Sequence, residues 1–353
     1  MKPTKLEFPI HTLDNRLFLP SGIDLTTKAL DELIATNKGT SYAGLYLLEY
    51  GTVYQDIVIL LQSSPYSVIF DEPKITITLN LMKRVSFISP ILECLDYFRE
   101  HDFYIYRHSL VVLAMSTVMA RDLLEKSEDW IAGVMAGTIH DLGKICVPLP
   151  ILKKDDPLTE DDRKILEHHT LAGFVLLSYF LQSRQSFAAQ AAKEHHERRD
   201  GSGYPMGISL KDSMIEIIAA CDVYDALLSS RPFRPTPYTN RTALEEITEM
   251  AQVGRLSWEV VQTLISHNRK DRPHYRDCTV STEKRGTPPA ENLYGVIVDK
   301  EIKCPNCYGS CIKIIMHKNY KAGAEYNRYE CPNCGNEFDK DDLLNAKKDM
   351  NEN

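Results

Sequence analysis

Six histidines and two aspartates recur beside the breaks between helix-like segments, in the order His108, His140-Asp141, His168-His169, His195-His196 and Asp222. Imidazole and carboxylate are the ligands a divalent metal takes when it must stay hydrolytically active. One histidine on a helical face is usually a satisfied core or surface residue, and a single His-Asp dipeptide means little. A succession of such elements, each beside a turn, favours a metal site whose ligands converge from separate segments. An adjacent pair such as His140-Asp141 can aim two side chains at neighbouring metals, with the carboxylate bridging both. Two metals about 3.5–4 Å apart clamp a phosphoryl oxygen and generate hydroxide near neutral pH.

The segments carrying these residues have a helical period. From 91 to 268, apolar residues recur at three- and four-residue spacing in ILECLDYF, SLVVLAMSTVMARDLL, RKILEHHTLAGFVLL, MIEIIAACDVYDALL and TALEEITEMA. Thr159, with Asp162 three positions on, is a helix-start signal. Breaks fall at VPLP, DDP, RRDGSGYP and SSRPFRPTP. The pattern predicts one all-α domain. Residues 1–90 read differently: YQDIVILLQ, YSVIF and KITITLNL run apolar or alternate between turn clusters, which predicts strands. One helix is expected at about 24–36, capped by Asp24. This part reads as a small α+β regulatory or interaction domain without a catalytic motif. Residues 269–300, rich in charge and proline, read as a linker or surface excursion, 301–338 as a cysteine module and 339–353 as a polar tail. The chain as a whole is expected to be mainly α.

Two runs carry a more specific signal. His140-Asp-Leu-Gly-Lys144 and His195-His-Glu-Arg-Arg-Asp-Gly-Ser-Gly-Tyr-Pro205 resemble the two signatures of the HD-GYP family, a branch of the HD phosphohydrolases. YIYRHSLVV (104–112), EHHTLAG (167–173) and ACDVYDALLSSRPFR (220–234) follow in the family's order. The resemblance covers about 91–268 and implies hydrolysis of cyclic di-GMP, a bacterial second messenger, to linear pGpG and in some members on to GMP. It implies that His108, His140, Asp141, His169, His195, His196 and Asp222 are metal ligands, with Asp141 the bridging carboxylate. It places Lys144 beside the metals and against a phosphate, makes Arg231 and Arg234 phosphate contacts, and sets Tyr204 and Pro205 in the loop that shapes the pocket. Arginine suits that task because its planar fork binds two phosphate oxygens. Gly201 and Gly203 would let the loop turn tightly. Through this loop the resemblance also implies diguanylate cyclase or other signalling partners. Some relatives carry a glutamate four residues before the first histidine and hold three metals; Tyr104 stands there in this chain, so two divalent metals are expected, iron, manganese or zinc. The implied mechanism is attack on phosphorus by a hydroxide held between them, with Asp141 and Lys144 as the catalytic residues. His168 reads as a structural or outer partner of the ligands. Asp225 reads either as an outer partner or as a solvated acid.

The cysteine module has its own logic. Cys304-Pro-Asn-Cys307 and Cys331-Pro-Asn-Cys334 are two C-x-x-C knuckles, whose four thiolates predict a structural zinc in a zinc ribbon. The intervening CIKIIMHKNYKAGAEYNRYE reads as a β-hairpin around Lys318–Gly323, and so small a core would depend on metal to fold. Cys311 is a spare thiol. Lys313, Lys318, Lys321 and Arg328 could meet nucleic acid, but the acid-rich tail disfavours that role relative to protein docking or stabilisation.

Composition narrows the classes further. With 353 residues the chain has room for about two or three domains. Its 41 basic and 49 acidic residues leave a net charge of −8, a poor match to wrapping long nucleic acid. No apolar run reaches the ~18 residues that span a bilayer, and the first residues lack an apolar signal core; the expectation is a cytoplasmic protein off the membrane. Five of nine cysteines crowd into 304–334, a metal cluster rather than a disulfide framework. Cys94, Cys146, Cys221 and Cys278 read as small buried apolar groups. A competing function is a cyclic-dinucleotide sensor or signalling adaptor that binds without hydrolysis, distinguished by the absence of turnover. Another is hydrolysis of a mixed cyclic dinucleotide.

Overall fold

The protein is described by a computed structural model over residues 4–124, 136–155, 158–231, 234, 236–289 and the strands 296–297, 312–316, 326–330 and 337–339. Short strands open the chain. β1 (Thr4–Lys5) pairs antiparallel with β4 (Asp24–Leu25), and β2 (Ile10–His11) with β3 (Leu17–Leu19). Helix α1 (Thr27–Ala35) follows, capped by Thr26, whose hydroxyl accepts from the Ala29 amide. Asp24, the expected cap, lies instead in β4.

Three segments that read as strands are helical. YQDIVILLQ lies in α2 (Val53–Gln62), Tyr66–Val68 forms a 3-10 turn, and KITITLNL lies in α3 (Glu72–Met82). The β-branched content misled, because propensity is weak against tertiary packing. The buried positions of α2 are Val53, Ile57 and Leu61, and those of α3 include Ile75, Thr78, Leu79 and Met82, a helical period in both. Asp71 caps α3 through the Lys74 amide, and Pro73 sits in its first turn. The only strands in this stretch are β5 (Gly44–Tyr46) and β6 (Ser86–Ile88), paired antiparallel, among the described residues.

The helical part begins with α4 (Ser89–His101) and α5 (Phe103–Leu124). From His108 to Ala120 every residue of α5 is buried. By length and composition α5 could cross a membrane, yet it is the core helix against which α2, α3 and α4 pack. After a 3-10 turn (Leu142–Cys146) and the short α6 (Leu149–Leu152) comes α7 (Glu160–Glu167), opened by the expected capping box of Thr159 and Asp162. A second core helix, α8 (His169–Phe180), is buried from His169 to Tyr179 and packs on the 3-10 turn and on α9 (Phe187–Glu194). Then come α10 (Ser213–Leu228), which lies along α5, α11 (Asn240–Gln252) and α12 (Trp258–Asn268).

Residues through 152, 159–228 and 239–286 form one compact unit, so the first ninety residues and the helices share a core. The charged segment after α12 is fastened to that unit: Arg272 donates to the Asp71 carboxylate and the Ile69 carbonyl, and Glu245 accepts from the Arg285 and Gly286 amides. The second unit takes in 153–158, 229–238 and 287–353. Its sheet runs β10 (Glu337–Asp339), β9 (Tyr326–Glu330), β8 (Ile312–Met316), β7 (Val296–Ile297), all antiparallel. The β8–β9 pairing matches the expected hairpin. The four proposed zinc ligands, Cys304, Cys307, Cys331 and Cys334, lie outside the described residues.

Candidate metal centre

Five backbone segments deliver seven side chains to one place. His108 comes from the second turn of α5, and His140-Asp141 from the turn before the 3-10 segment. His169 is the first residue of α8, His195-His196 follow the last turn of α9, and Asp222 is mid-α10. Asp141, His169, His195 and His196 form one group of converging ligand atoms, and His108, His140 and Asp222 another. These are the seven positions singled out in the sequence.

Asp141 faces both groups. Its Oδ1 lies 3.3 Å from His169 Nε2 and 3.7 Å from His195 Nε2, while its Oδ2 lies 3.6 Å from both His108 Nε2 and His140 Nε2. The same Oδ2 accepts from Lys144 Nζ. Asp222 also spans the groups, with Oδ1 3.2 Å from His108 Nε2 and Oδ2 3.9 Å from His196 Nδ1.

The imidazoles are held from behind. His140 Nδ1 donates to the Gly137 carbonyl (2.8 Å), His169 Nδ1 to Leu166 (2.6 Å), His195 Nδ1 to Ala192 (3.0 Å), and His108 Nδ1 to the Asp225 carboxylate (2.6 Å). A carbonyl acceptor fixes the proton on Nδ1, so in the neutral ring Nε2 presents its lone pair inward. Burial drives His169 down to about 4 and holds His140, His195 and His196 below the ordinary histidine value. Two lone pairs then face each other across 3.3 Å, from His169 Nε2 to His195 Nε2. His108 Nε2, His140 Nε2 and Asp141 Oδ1 are buried without a hydrogen-bond partner. Lone pairs and carboxylate oxygens aimed at one another in a buried site repel unless a cation lies among them. The donor set therefore fits divalent metal. Burial opposes ionisation of Asp141 and Asp222, but Lys144 and the imidazoles beside Asp141, and His108 and His196 beside Asp222, hold both well below the usual carboxylate range. Burial also works against a charged His108, yet Asp222 and Asp225 outweigh it and raise that ring.

The loop after His196 is built around a residue the sequence reading passed over. Glu197 is fully buried and accepts from the Met206 (2.7 Å) and Ile208 (3.0 Å) amides, closing the loop on itself. Its place between the paired histidines and the glycines was the available signal. Gly201 has φ +77°, and a Cβ on Gly203 would fall 2.2 Å from the His196 carbonyl oxygen, so both positions require glycine. Tyr204 stacks on His196, with centroids 4.5 Å apart at 20°. Tyr104 stacks on His108 and offers no carboxylate. Asp225 is fully buried rather than solvated. His168 packs its ring edge-on against Phe8 and is lowered to about 4 by burial. Arg231 and Arg234 belong to the second unit, where they exchange backbone hydrogen bonds of 2.9 Å and the Arg234 guanidinium lies over Tyr238.

Residues 91–259, just under half of the chain, match the HD domain family model. The chain is similar to a cyclic di-GMP phosphodiesterase of Thermotoga maritima, 34% identical over 195 residues that cover 54% of this chain and 52% of the relative. It is also similar to the cyclic di-GMP phosphodiesterase response regulator RpfG of Xanthomonas campestris pv. campestris, 42% identical over 124 residues (35% and 32%). A third relative is the 3'3'-cGAMP-specific phosphodiesterase 1 of Vibrio cholerae, 31% identical over 170 residues (47% and 38%). The chain spans about half or less of the length of these relatives.

Proposed function

We propose that the protein is a metal-dependent phosphodiesterase that hydrolyses cyclic di-GMP to linear pGpG. The observation that carries this reading is Asp141, whose two oxygens face two separate sets of inward-pointing imidazole nitrogens. His108, His140 and Asp222 would hold one ion and His169, His195 and His196 the other, with Asp141 between them. Iron, manganese and zinc all suit this donor set. When bound, such a pair polarises a phosphoryl oxygen and lowers the pKa of water into the neutral range.

The chain's own groups complete the site. Lys144, hydrogen-bonded to Asp141, supplies a fixed cation beside the cage for a non-bridging phosphate oxygen. The backbone carbonyls behind His140, His169 and His195 keep the rings in the ligating tautomer. Tyr204 walls the site against His196. Arg231 and Arg234 are proposed to hold phosphates, supported by the forked geometry of arginine and by their place in the SRPFR run. A structural zinc at Cys304, Cys307, Cys331 and Cys334 is proposed on the knuckle spacing, supported by the β8–β9 hairpin between the two knuckles. The proposed setting is the cytoplasm, in keeping with four free thiols at Cys94, Cys146, Cys221 and Cys278. A diguanylate cyclase or another signalling protein is the proposed macromolecular partner of the loop at 201–205.

The test is full-length protein loaded with manganese or iron, its metal content measured, incubated with cyclic di-GMP and resolved by chromatography. Linear product supports the reading. Bound metal and saturable binding without product would replace it with the sensor.

A further inference from the structure

A cavity of about 570 Å³ lies between α3, the end of α5 and the segment that follows α12. All of its lining belongs to the first compact unit. The charged side chains there are Asp71, Lys74, Arg121, Asp122 and Arg272, with His267 and His274 beside them. Asp122 stands fourteen residues after His108 on α5, about 21 Å along the helix, so the cavity is remote from the cage. Its volume is that of a small-molecule site.

The charges pair off and leave one over. Arg272 donates to Asp71, and Arg121 donates to Asp122 through Nε and Nη2, both at 3.1 Å. Lys74 is the surplus. It is only 7% exposed, and among the described residues no carboxylate lies within 4 Å of its Nζ. Its partner is instead His267 Nδ1 at 2.6 Å, while His267 Nε2 faces Asp122 Oδ2 at 3.2 Å. An imidazole with its proton toward Asp122 offers Lys74 a lone pair but no charge. Both acids are already committed. Burial opposes their ionisation, but the Lys74 amide and Arg272 hold Asp71, and His267 and Arg121 hold Asp122, below the usual carboxylate range. A buried ammonium without a counter-charge sheds its proton more readily or takes an anion. Burial, and then Arg272, lower Lys74 to about 8, which still leaves it charged at neutral pH.

We propose that this cavity binds a phosphate-bearing small molecule, with Lys74 as the central cation and Arg121 and Arg272 at its sides. The three cations come from three separate elements, which suits a tetrahedral oxyanion better than a flat carboxylate. Arg121 spends two of its five N–H donors on Asp122, and three remain. Arg272 is fixed in place: its backbone is left-handed, with φ +41°, a conformation rare outside glycine, and the Ser266 hydroxyl donates to the Pro273 carbonyl that follows. Ile77 and Pro273 give the cavity apolar wall for the organic part of the ligand. This site stands apart from the phosphodiesterase reading and does not rest on it.

The test is calorimetric titration of full-length protein, stripped of metal by chelator so that the cage offers the probe no cation. Pyrophosphate is the probe and citrate the carboxylate comparison. Wild type is expected to bind one pyrophosphate per chain, saturably and more tightly than citrate. Lys74→Met keeps the length of the side chain without its charge, and Arg121→Gln changes a half-buried residue. Each is expected to weaken pyrophosphate binding by about 10–100-fold, the weight of hydrogen bonds to a charged group. Circular dichroism checks that the variants fold, and Arg121→Gln decides the matter if Lys74→Met does not. Absence of saturable binding, an affinity unchanged in the folded variants, or citrate held as tightly as pyrophosphate would each overturn the proposal.

Discussion

The Asp225 carboxylate accepts from His108 Nδ1 at 2.6 Å, one helical turn beyond Asp222 on α10. The same carboxylate takes Arg107 at 2.6 Å and the Tyr66 hydroxyl, so it is ionised by design of its surroundings: burial resists the charge, and Arg107 and His108 reverse that. Asp225 therefore fixes both the tautomer and the direction of a proposed metal ligand from the far side of its ring. Replacing it by asparagine is expected to weaken metal affinity by about 10–100-fold, the usual weight of a ligand's outer partner. It should also lower stability by removing the charge that Arg107 pairs with at 2.6 Å. Chelator competition and denaturant unfolding read the two effects separately; an unchanged affinity would show that His108 is held by packing alone.

Asp141 makes a sharper prediction. Because its two oxygens serve two ligand groups, Asp141→Asn should drop both metals and bring diester hydrolysis to background, whereas Asp222→Asn removes a carboxylate with a different reach. Metal counting by mass spectrometry separates loss of one ion from loss of two. Retention of two ions in Asp141→Asn would mean that no bridge exists there.

The cage was legible because its residues sit in short runs whose types and order are themselves informative, and all seven side chains converge. What escaped was long-range. Asp225 stood open between two readings because its decisive partners, Tyr66 and Arg107, are 159 and 118 positions away. Glu197 escaped because it binds only backbone amides, which leave no trace in residue type. In α2 and α3, short runs of Ile, Val, Thr and Leu fit period two and period 3.6 alike. Burial against the core helix α5 decided for the helix.

Lys74 supplies a pH prediction away from the cage. Its Nζ donates to His267 Nδ1 at 2.6 Å, and His267 Nε2 faces Asp122 Oδ2 at 3.2 Å. Burial first, and then Arg272, lower Lys74 from 10.5 to about 8. The unfolded chain then binds more protons than the folded one between pH 8 and 10.5. Stability attributable to this lysine must rise with pH across that window, by roughly 3 kcal/mol in full. Below pH 8 the penalty is complete and constant. Lys74→Met should abolish that component of the slope in urea unfolding curves taken from pH 7.5 to 10.5. A slope identical to wild type would place the lysine's proton affinity at its unfolded value.

Gly143, between Asp141 and Lys144 in the turn, tests how closely the cage is braced by backbone packing. A Cβ there would come within 1.9 Å of the His169 carbonyl oxygen and 2.3 Å of the Gly173 amide nitrogen, both on α8. Neither atom can swing away as a side-chain end could, so the turn and α8 must separate. That separation moves Asp141 from His169, which lie 3.3 Å apart at their facing atoms. Gly143→Ala should therefore cost at least about 1–3 kcal/mol of stability, the ordinary range for overpacking. It should also lower metal affinity, although no ligand is changed. Gly137→Ala is the matched control: the nearest atoms to its Cβ would be the Ser116 side chain at 3.3 Å and the Leu113 backbone at 3.6 Å. A Gly143→Ala protein that keeps wild-type stability and metal content would show that the turn does not need this close approach to hold its ligands.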